Sequence, residues 1–309
     1  MDQLFPPMTA TLPHISVCIC SYKRPKCLMN LLAALADQDT GGLFTYSIVV
    51  ADNDELKSAE AVVNEFSAKS QVAVTYCVEP QQNIALARNR AVASARGDFV
   101  AFIDDDEFPI TKWLLALFKA CDEYGAHGVL GPVKPYFDEK PPNWIVKGKF
   151  WDRPSYPTGL VIDGAKGRTG NVLLKKELFG AAGVQPFRPQ FRSGEDQEFF
   201  TRMIALGYKF IWCNEASAFE IVPPVRWKRR FMIRRALLRG STRVLRQDFG
   251  AIDIVKSLIA VPAYILILPF ALLIGHHRFM SITIKLFDHI GKLLALYHCH
   301  PVREPYVTD

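Results

Sequence analysis

An apolar run in the N-terminal half of the chain ends in four consecutive acids. Val100 to Ile103 is apolar, and Asp104, Asp105, Asp106 and Glu107 follow it directly. Carboxylates two positions apart in an extended or turning segment can point to the same side. A cation relieves their repulsion, and Mg²⁺ or Mn²⁺ held by one or two carboxylates completes its coordination with water and substrate phosphates. The run indicates a metal–diphosphate site, with an acidic surface turn as the alternative.

The segments around this run alternate between apolar and amphipathic patterns. Four apolar segments predict buried strands, at Ile15–Cys20, Tyr46–Ala51, Val72–Val78 and Phe99–Ile103. Three amphipathic segments predict helices, at Cys27–Ala36, Glu55–Lys69 and Asn83–Ala95. This alternation predicts an α/β fold with right-handed crossovers and a mostly parallel, Rossmann-like central sheet flanked by helices.

Polar clusters follow three of the predicted strands. They are Ser21–Arg24, Asp52–Asp54 and Asp104–Asp106. The carboxyl ends of parallel strands meet at one edge of a sheet, where ligands of such folds bind. This convergence favours the metal–diphosphate site over the surface turn. The chain has neither Gly-x-Gly-x-x-Gly nor Gly-x-x-x-x-Gly-Lys-Ser/Thr, so a metal rather than a glycine-rich loop is expected to hold the phosphates.

A second acidic group begins a predicted helix. Glu195 and Asp196 follow Gly194 and precede a run with helical spacing. One interpretation is structural, because Ser193 and Asp196 fit a capping box and acids favour helix N-termini. The other is that Asp196 stays ionised there and acts as a general base, with Gly194 allowing a substrate close to the backbone.

Length and composition indicate a globular chain with reduced thiols. Its 309 residues suffice for one large or two modest domains. Seven scattered cysteines, several of them within apolar runs, indicate a reducing compartment. Met1 to Pro13 lacks the basic and apolar parts of a signal peptide.

The C-terminal third combines basic and apolar segments. Arginines are crowded between Arg226 and Arg246, and the net charge of the chain is +6. Leu258 to Ile274 follows without a charge but includes Pro262 and Pro269. This order predicts a membrane partner rather than nucleic acid, with the preceding domain in the cytoplasm. The apolar segment is expected to be a kinked span, a re-entrant hairpin or an in-plane helix, and a buried soluble helix is the alternative.

Several ordered motifs between Ile15 and Glu220 together resemble a known family. They are Val17–Pro25, Val50–Asn53, Asn83–Asn89, Phe102–Asp106 and Gly194–Asp196. With these motifs the chain resembles the inverting family 2 glycosyltransferases of GT-A fold, especially bacterial members that assemble exopolysaccharide repeat units on lipid carriers. The resemblance implies a tail at residues 1–14, a catalytic domain at 15–225 and a membrane-associated region at 226–309. Within the catalytic domain, residues 15–107 would bind the nucleotide and 108–225 the acceptor.

The resemblance also implies roles for individual residues. The nucleotide side would consist of Asp52 at the base, Ser21 and Arg88 near ribose and phosphates, Arg24 beside them, and Asp104 near the ribose. Asp106 would bind Mg²⁺ or Mn²⁺, and Asp196 would be the base that deprotonates the acceptor. The acceptor side would include Asn171, Arg192 and Glu195.

The chain departs from the family pattern at two places. Many relatives have a histidine that completes the metal site where this chain has Phe219-Glu220. Glu220 is then either an oxygen ligand in its place or no metal ligand at all. The Asn-x-Gly common before the Arg-Asn pair is Asn83-Ile84-Ala85 here.

By this resemblance the expected activity is metal-dependent, inverting sugar transfer. The donor would be a nucleotide sugar, with UDP-sugars as the default. The acceptor would be a glycan or lipid-linked oligosaccharide at the cytoplasmic face of the plasma membrane. The alternatives are a sugar-phosphate nucleotidyltransferase, although its glycine-rich phosphate loop is missing, and a non-catalytic, membrane-bound nucleotide-sugar-binding protein.

Overall fold

A computed structural model of the chain describes residues 11–191, 194–244, 249–299 and 302. Within these ranges the chain forms ten strands and ten α-helices. The strands are β1 (His14–Ser21), β2 (Thr45–Asp52), β3 (Val74–Val78), β4 (Phe99–Phe102), β5 (Glu107–Pro109), β6 (Gly128–Leu130), β7 (Val133–Tyr136), β8 (Val172–Lys175), β9 (Phe210–Trp212) and β10 (Ala218–Ile221). The helices are α1 (Pro25–Ala36), α2 (Glu60–Lys69), α3 (Ile84–Ser94), α4 (Trp113–Glu123), α5 (Asn143–Gly148), α6 (Glu177–Ala182), α7 (Glu195–Ala205), α8 (Arg229–Arg243), α9 (Ala251–Ile274) and α10 (His276–Leu296).

The larger sheet has seven strands in the order β3-β2-β1-β4-β8-β6-β9. β1 is parallel to both β2 and β4, and β2 is parallel to β3. β8 runs antiparallel to β4 and β6, while β6 and β9 are parallel. The predicted α/β fold with a mostly parallel sheet is confirmed. Register places Ser21 opposite Asp52, so the polar residues after β1 and β2 share one edge.

Apolar side chains fill both faces of this sheet, because strand residues alternate between the faces. One face packs Ile15, Val17 and Ile19 against α1, where Leu28 and Leu32 are buried at helical spacing. The other face includes Cys18, Phe102, Phe187, Phe199 and Trp212. Burial of this core on both sides leaves the ends of the strands as the place for polar chemistry.

Two elements differ from the sequence prediction near this edge. The helix expected from Glu55 begins at Glu60, because Asp54–Lys57 forms a turn in which Lys57 has a φ of 56°. A second sheet has the order β5-β10-β7, and in it Glu107 lies opposite Glu220. β5 was not predicted, because its three residues are too few to show a periodic pattern.

The chain divides into two compact units. The first comprises residues up to Lys134 together with Arg153–Glu220, and the second comprises Pro135–Asp152 and the chain from Ile221 on. Compact units are defined by packing, so the predicted functional boundary at residues 225 and 226 stays a prediction. Within the second unit, a separate apolar cluster has six buried members, which are Ile145, Trp151, Val222, Trp227, Met232 and Met280.

α9 is the long apolar helix of the second unit. It continues through Pro262 and Pro269 for 24 residues, with a mean hydropathy of 2.5 over its most apolar window. Only 11% of that window is buried. Among the described residues it is the helix that is long and apolar enough to cross a bilayer, a property that some soluble and signal helices share.

Candidate functional site

The loop after β1 and the acids after β4 are held together by hydrogen bonds. Ser21 Oγ donates to Asp105 Oδ2 at 2.9 Å. Arg24 Nη1 lies 3.1 Å from Asp105 Oδ1 and 3.4 Å from Asp106 Oδ2. Arg24 is also the N-cap residue of α1, so the start of this helix sets the position of its side chain. The structure therefore brings together four of the residues that the sequence placed at this edge.

Asp105, which the sequence left without a role, organises this contact. Its side chain is buried, and burial raises its pKa to about 7, although the positive charge of Arg24 opposes the rise. Ser21 and Arg24 both stabilise the ionised carboxylate. The Asp105 carboxylate therefore orients the side chains of Ser21 and Arg24.

Asp104 and Glu107 differ in exposure although they belong to the same run. The Asp104 side chain is 45% exposed, whereas that of Glu107 is 1% exposed. Gly170 lies beside both, because a Cβ at this position would be 2.8 Å from Asp104 Oδ2 and 3.0 Å from Glu107 Oε1. Asp104 is consequently the acid of this pair that a ligand can reach.

Arg153 lies among these acids. Its Nη2 pairs with Glu220 Oε2, and its Nη1 is 3.9 Å from Glu107 Oε1. Burial would lower the pKa of Arg153, but Glu220, Glu107 and Asp104 raise it above its ordinary value. Glu220 was the predicted replacement for a metal-binding histidine, and in this structure its carboxylate is engaged by the Arg153 guanidinium.

The donor set fits a divalent ion that substrate phosphates would complete. Among the described residues, no group of three or more His, Cys, Asp or Glu side chains forms a metal site by itself. Mg²⁺ in diphosphate sites needs only one or two carboxylates, which Asp104 and Asp106 could supply. Both oxygens of Glu107 lack a hydrogen-bond donor in the described chain, and burial raises its pKa well above the ordinary value. This acid-rich surrounding favours a bound cation.

Arg88 connects the acids after β4 to the start of α7. Its Nη1 pairs with Glu195 Oε1, and its Nη2 lies 3.8 Å from Asp104 Oδ1. Both Arg88 and Glu195 are buried. α7 begins at Glu195 after Gly194, which is the N-cap residue with a φ of 84°. The expected capping box starts at Ser193, which lies outside the described residues. Asp196 is next along the helix and is half-buried.

Asp52 and Asn171 are buried and bonded within the chain. Asp52 accepts hydrogen bonds from Ala59 N–H at 2.7 Å and from Tyr76 O–H at 2.9 Å. Asn171 has a φ of 63° and accepts a 2.7 Å hydrogen bond from Trp113 Nε1. Its amide donates to the carbonyls of Pro132 and Ala216. These hydrogen bonds hold the loop before β8, and the acceptor contact of Asn171 stays a prediction.

The other two residues predicted on the acceptor side are Glu195 and Arg192. Glu195 is paired with Arg88, and Arg192 lies outside the described residues. Asp52 is fully buried by its internal hydrogen bonds. Its contact with the nucleobase of the donor stays a prediction.

Two arginines near the acids that follow β4 were not predicted from the sequence. Arg153 and Arg168 fall in the stretch from Pro132 to Gly170, which has no helical or strand periodicity to place them. Arg168 stacks on Trp212, with its guanidinium carbon 5.2 Å from the ring centroid. Burial and the nearby Arg153 charge lower the pKa of Arg168. No local motif around either residue signals its position.

The chain is similar in sequence to a glycosyltransferase family and to two proteins of polysaccharide synthesis or sugar transfer. The family model described as Glycosyl transferase family 2 matches residues 16–171. Succinoglycan biosynthesis protein ExoM of Rhizobium meliloti (strain 1021) is 32% identical over 231 residues, which are 74% of this chain and 74% of that protein. Glycosyltransferase AglE of Haloferax volcanii is 24% identical over 212 residues, which are 67% of each.

Solved structures share the fold. Mannosyltransferase PcManGT from Pyrobaculum calidifontis, in complex with GDP-Man and Mn²⁺, has a TM-score of 0.63 at 18% identity and covers 94% of this chain and 88% of its own. S. aureus TarS 1–349, in complex with UDP, has a TM-score of 0.51 at 16% identity over 92% of each chain. The architecture is that of the GT-A glycosyltransferases. With a family model that matches half of its length and a relative 32% identical over 74% of it, the chain belongs to glycosyltransferase family 2 and is a glycosyltransferase.

Proposed function

We propose that this glycosyltransferase moves a sugar from a nucleoside-diphosphate donor to a hydroxyl group of a glycan or lipid-linked oligosaccharide in bacterial polysaccharide synthesis. The observation that carries the proposal is the joining of two acidic groups by one arginine. Asp104 and Asp106 lie at the carboxyl edge of the sheet, and Arg88 connects Asp104 to Glu195, the neighbour of Asp196. Asp104 and Asp106 suit binding of the leaving diphosphate through a metal ion, and Asp196 suits activation of the attacking hydroxyl group.

The relatives support the chemical class of the substrates. ExoM is named for succinoglycan biosynthesis, and the two solved structures contain GDP-Man and UDP. UDP-sugars are the first donors to test. The nucleotidyltransferase and the non-catalytic protein considered from the sequence are disfavoured by membership of a glycosyltransferase family.

The residues divide the work of an inverting displacement. Asp196 would accept the proton of the acceptor hydroxyl as its oxygen attacks the anomeric carbon. Mg²⁺ or Mn²⁺, held by Asp106 with Asp104 beside it, would supply charge neutralisation for the departing diphosphate. Ser21 and Arg24, oriented by Asp105, would bind the nucleotide. Attack on one face while the diphosphate leaves from the other inverts the anomeric centre.

The location that we propose is the cytoplasmic face of the plasma membrane. The basic run from Arg226 and the exposed apolar α9 support it, since anionic lipids of the cytoplasmic leaflet attract basic segments. Cytoplasmic nucleotide sugars and a lipid-linked acceptor would meet there.

Thermal unfolding in the presence of nucleoside diphosphates tests the proposal directly. A ligand that binds the native state raises its apparent stability, so UDP, GDP and dTDP are compared with and without Mn²⁺. We expect one diphosphate to raise the melting temperature in a manner that requires Mn²⁺. The Asp106→Asn variant should lose this rise, whereas Asp138→Asn, at an exposed acid, should keep it. No diphosphate-dependent rise with any base would contradict the proposal.

A further inference from the structure

The exposed surface of α9 is almost entirely apolar. Beyond its first two turns the helix carries no charge, and Leu258, Leu266, Phe270 and Leu273 are between 58% and 85% exposed. Water-exposed apolar surface of this extent marks an interaction site rather than ordinary protein surface.

This apolar surface covers more than half of the circumference of the helix. The residues withdrawn from solvent centre on one face at spacings of three and four, which includes Ser257, Val261, Tyr264, Leu268 and Ala271. Apolar residues at Ile259, Ile265 and Ile274 lie on the remaining arc. A second copy of the chain would cover one stripe of this arc and leave the rest in water. A lipid phase surrounds the whole arc, and it is therefore the better partner.

The face of α9 withdrawn from solvent packs on a polar helix. Ser257 Oγ lies 2.9 Å from His289 Nδ1 of α10, and the Tyr264 ring is 5.9 Å from the same imidazole. On α10, Asp288 pairs with Lys292 at 2.8 Å. The helix that accompanies α9 along its length thus carries charges at the level of its middle.

α10 is tied in turn to the basic helix α8. A side chain at Gly240 would collide with the carbonyl of Asp288, and one at Gly291 would collide with the carbonyl of Leu237. Arg239 pairs with Asp288 at 2.7 Å. The backbones of α8 and α10 therefore touch, so α8 is expected to stay with α10 when α9 enters a lipid phase.

The far end of the α9–α10 hairpin also lies against polar elements of the same unit. His276 at the start of α10 has its ring centroid 4.7 Å from that of Trp144 in α5. The charge of Arg229 at the start of α8 reaches the same imidazole. Polar protein thus lies beside the middle and the C-terminal end of α9, so inserting α9 across a bilayer would carry this polar protein with it.

We infer that α9 lies in the plane of a single leaflet of an anionic membrane, with its apolar arc in the acyl region and without spanning the bilayer. The inference rests on the membrane location proposed above and not on the identity of the donor. A spanning α9 would draw α10 and the arginines of α8 into hydrocarbon, which is costly.

Basic side chains beside α9 specify the headgroup. Lys256, Arg278 and Lys285 are exposed on α9 and α10, while Asp288 is neutralised by its two basic partners. Lys and Arg near the edges of an in-plane helix extend to lipid phosphates. Anionic lipids are therefore preferred over zwitterionic ones.

Vesicle co-flotation of the full chain tests the apolar arc. Vesicles of phosphatidylcholine containing a minority of phosphatidylglycerol are compared with pure phosphatidylcholine. The double variant Leu266→Glu/Leu273→Glu should reduce the bound fraction by about tenfold or more, because two charges enter the acyl region. Val184→Glu is the matched control, since Val184 is a fully exposed apolar residue outside α9, and it should bind like the wild type.

Cysteine labelling then separates an in-plane helix from a spanning one. Ala251→Cys and Arg278→Cys place exposed thiols near the two ends of α9 in a Cys299→Ser background, which removes the exposed native thiol. Protein is added to preformed vesicles, followed by a maleimide that does not cross membranes. Both positions should react without detergent. Protection of either position until detergent is added would show a spanning helix and overturn the inference.

Failure of the inference is distinguishable from failure of the proposed function. Vesicle binding is measured without donor or acceptor, and thermal shifts with nucleoside diphosphates are measured without lipid. Equal flotation of the double variant and the wild type would overturn the inference. A second result would also overturn the inference: the wild type does not bind vesicles but self-associates, while the double variant is monomeric. α9 would then be an interface between copies of the chain.

Discussion

At the scale of single residues, the sheet edge holds more acids than arginines. Arg24 lies against Asp105 and Asp106, Arg88 lies against Asp104 and Glu195, and Arg153 lies against Glu107 and Glu220. Six carboxyl groups thus pair with three guanidinium groups. Because like charges at close range disfavour ionisation, a further cation lowers the energy of the set. This balance is the residue-level reason for expecting that donor binding requires a divalent ion.

Asp196 is the residue whose replacement should separate chemistry from binding. In Asp196→Asn the side chain keeps its shape but no longer accepts a proton, so turnover should fall by about 10²–10⁴-fold. The thermal shift caused by the nucleoside diphosphate should remain near that of the wild type. Sugar transfer to acceptor and the thermal shift are measured on the same preparation.

Glu198 provides a matched control for this variant. It is an acid of the same helix, but it pairs with Arg202 and Arg188. Glu198→Gln should therefore retain turnover within a few-fold, with some loss of stability. Wild-type turnover in Asp196→Asn would refute the base assignment.

Asp105 should make stability depend on pH. Burial raises its pKa to about 7, above the value in an unfolded chain, so the folded chain binds more protons between these values. The contribution of Asp105 to stability is therefore greatest in acid and falls as pH rises towards neutrality. Relative to Asp105→Asn, the wild type should lose about 2 kcal/mol between about pH 5 and about pH 8.

Urea unfolding at the two pH values measures this difference. The comparison concerns the change with pH, so any constant effect of losing the Arg24 contact cancels. Parallel pH dependences for the wild type and Asp105→Asn would show that the carboxyl group titrates normally.

At the scale of elements, the sequence predicted the polar edge of the larger sheet but not the pairing of β5 with β10 beside it. Ser21 and Asp104 were predictable neighbours because parallel strands place their carboxyl ends at one edge. β5 was not, because three residues carry no detectable period, and its pairing with β10 is what brings Glu107 opposite Glu220. Arg153 was missed for a related reason, since it lies in an irregular segment whose position depends on tertiary packing alone.

Gly170 is the point at which the loop before β8 meets the acids. A methyl group there would lie 2.8 Å from Asp104 Oδ2, so the carboxylate must move. Gly170→Ala should weaken Mn²⁺-dependent nucleoside diphosphate binding by about tenfold while the fold remains intact. Calorimetric titration of the diphosphate with Mn²⁺ present measures the affinity, and far-ultraviolet circular dichroism verifies the fold.

Gly180→Ala supplies the comparison for this substitution. Gly180 lies in α6 with open space around it, and alanine favours helix, so affinity should be unchanged and stability equal or slightly higher. Unaltered affinity in Gly170→Ala would place the diphosphate away from Asp104.

At the scale of the whole molecule, the sequence predicted a membrane-associated C-terminal region but missed its packing partner. The aromatic-rich segment Pro135–Asp152 belongs to the same compact unit as the helices after Ile221. Ile145 and Trp151 are buried in one cluster with Met232 and Met280. The signal in the sequence was only a concentration of aromatic residues, which does not specify the partner of a segment.

Removing the chain after residue 225 should therefore damage more than a membrane anchor. Ile145 and Trp151 would lose the side chains that bury them, and truncation of large core contacts costs about 2–5 kcal/mol per residue. We expect the truncated chain to aggregate on size-exclusion chromatography and to be cleaved by protease within Pro135–Asp152. The full-length Leu266→Glu/Leu273→Glu variant should stay monomeric and resist cleavage there, because its substitutions lie on the exposed arc of α9. A monodisperse, protease-resistant chain of residues 1–225 that still shows the diphosphate thermal shift would contradict this expectation, since the catalytic part would then fold without the helices.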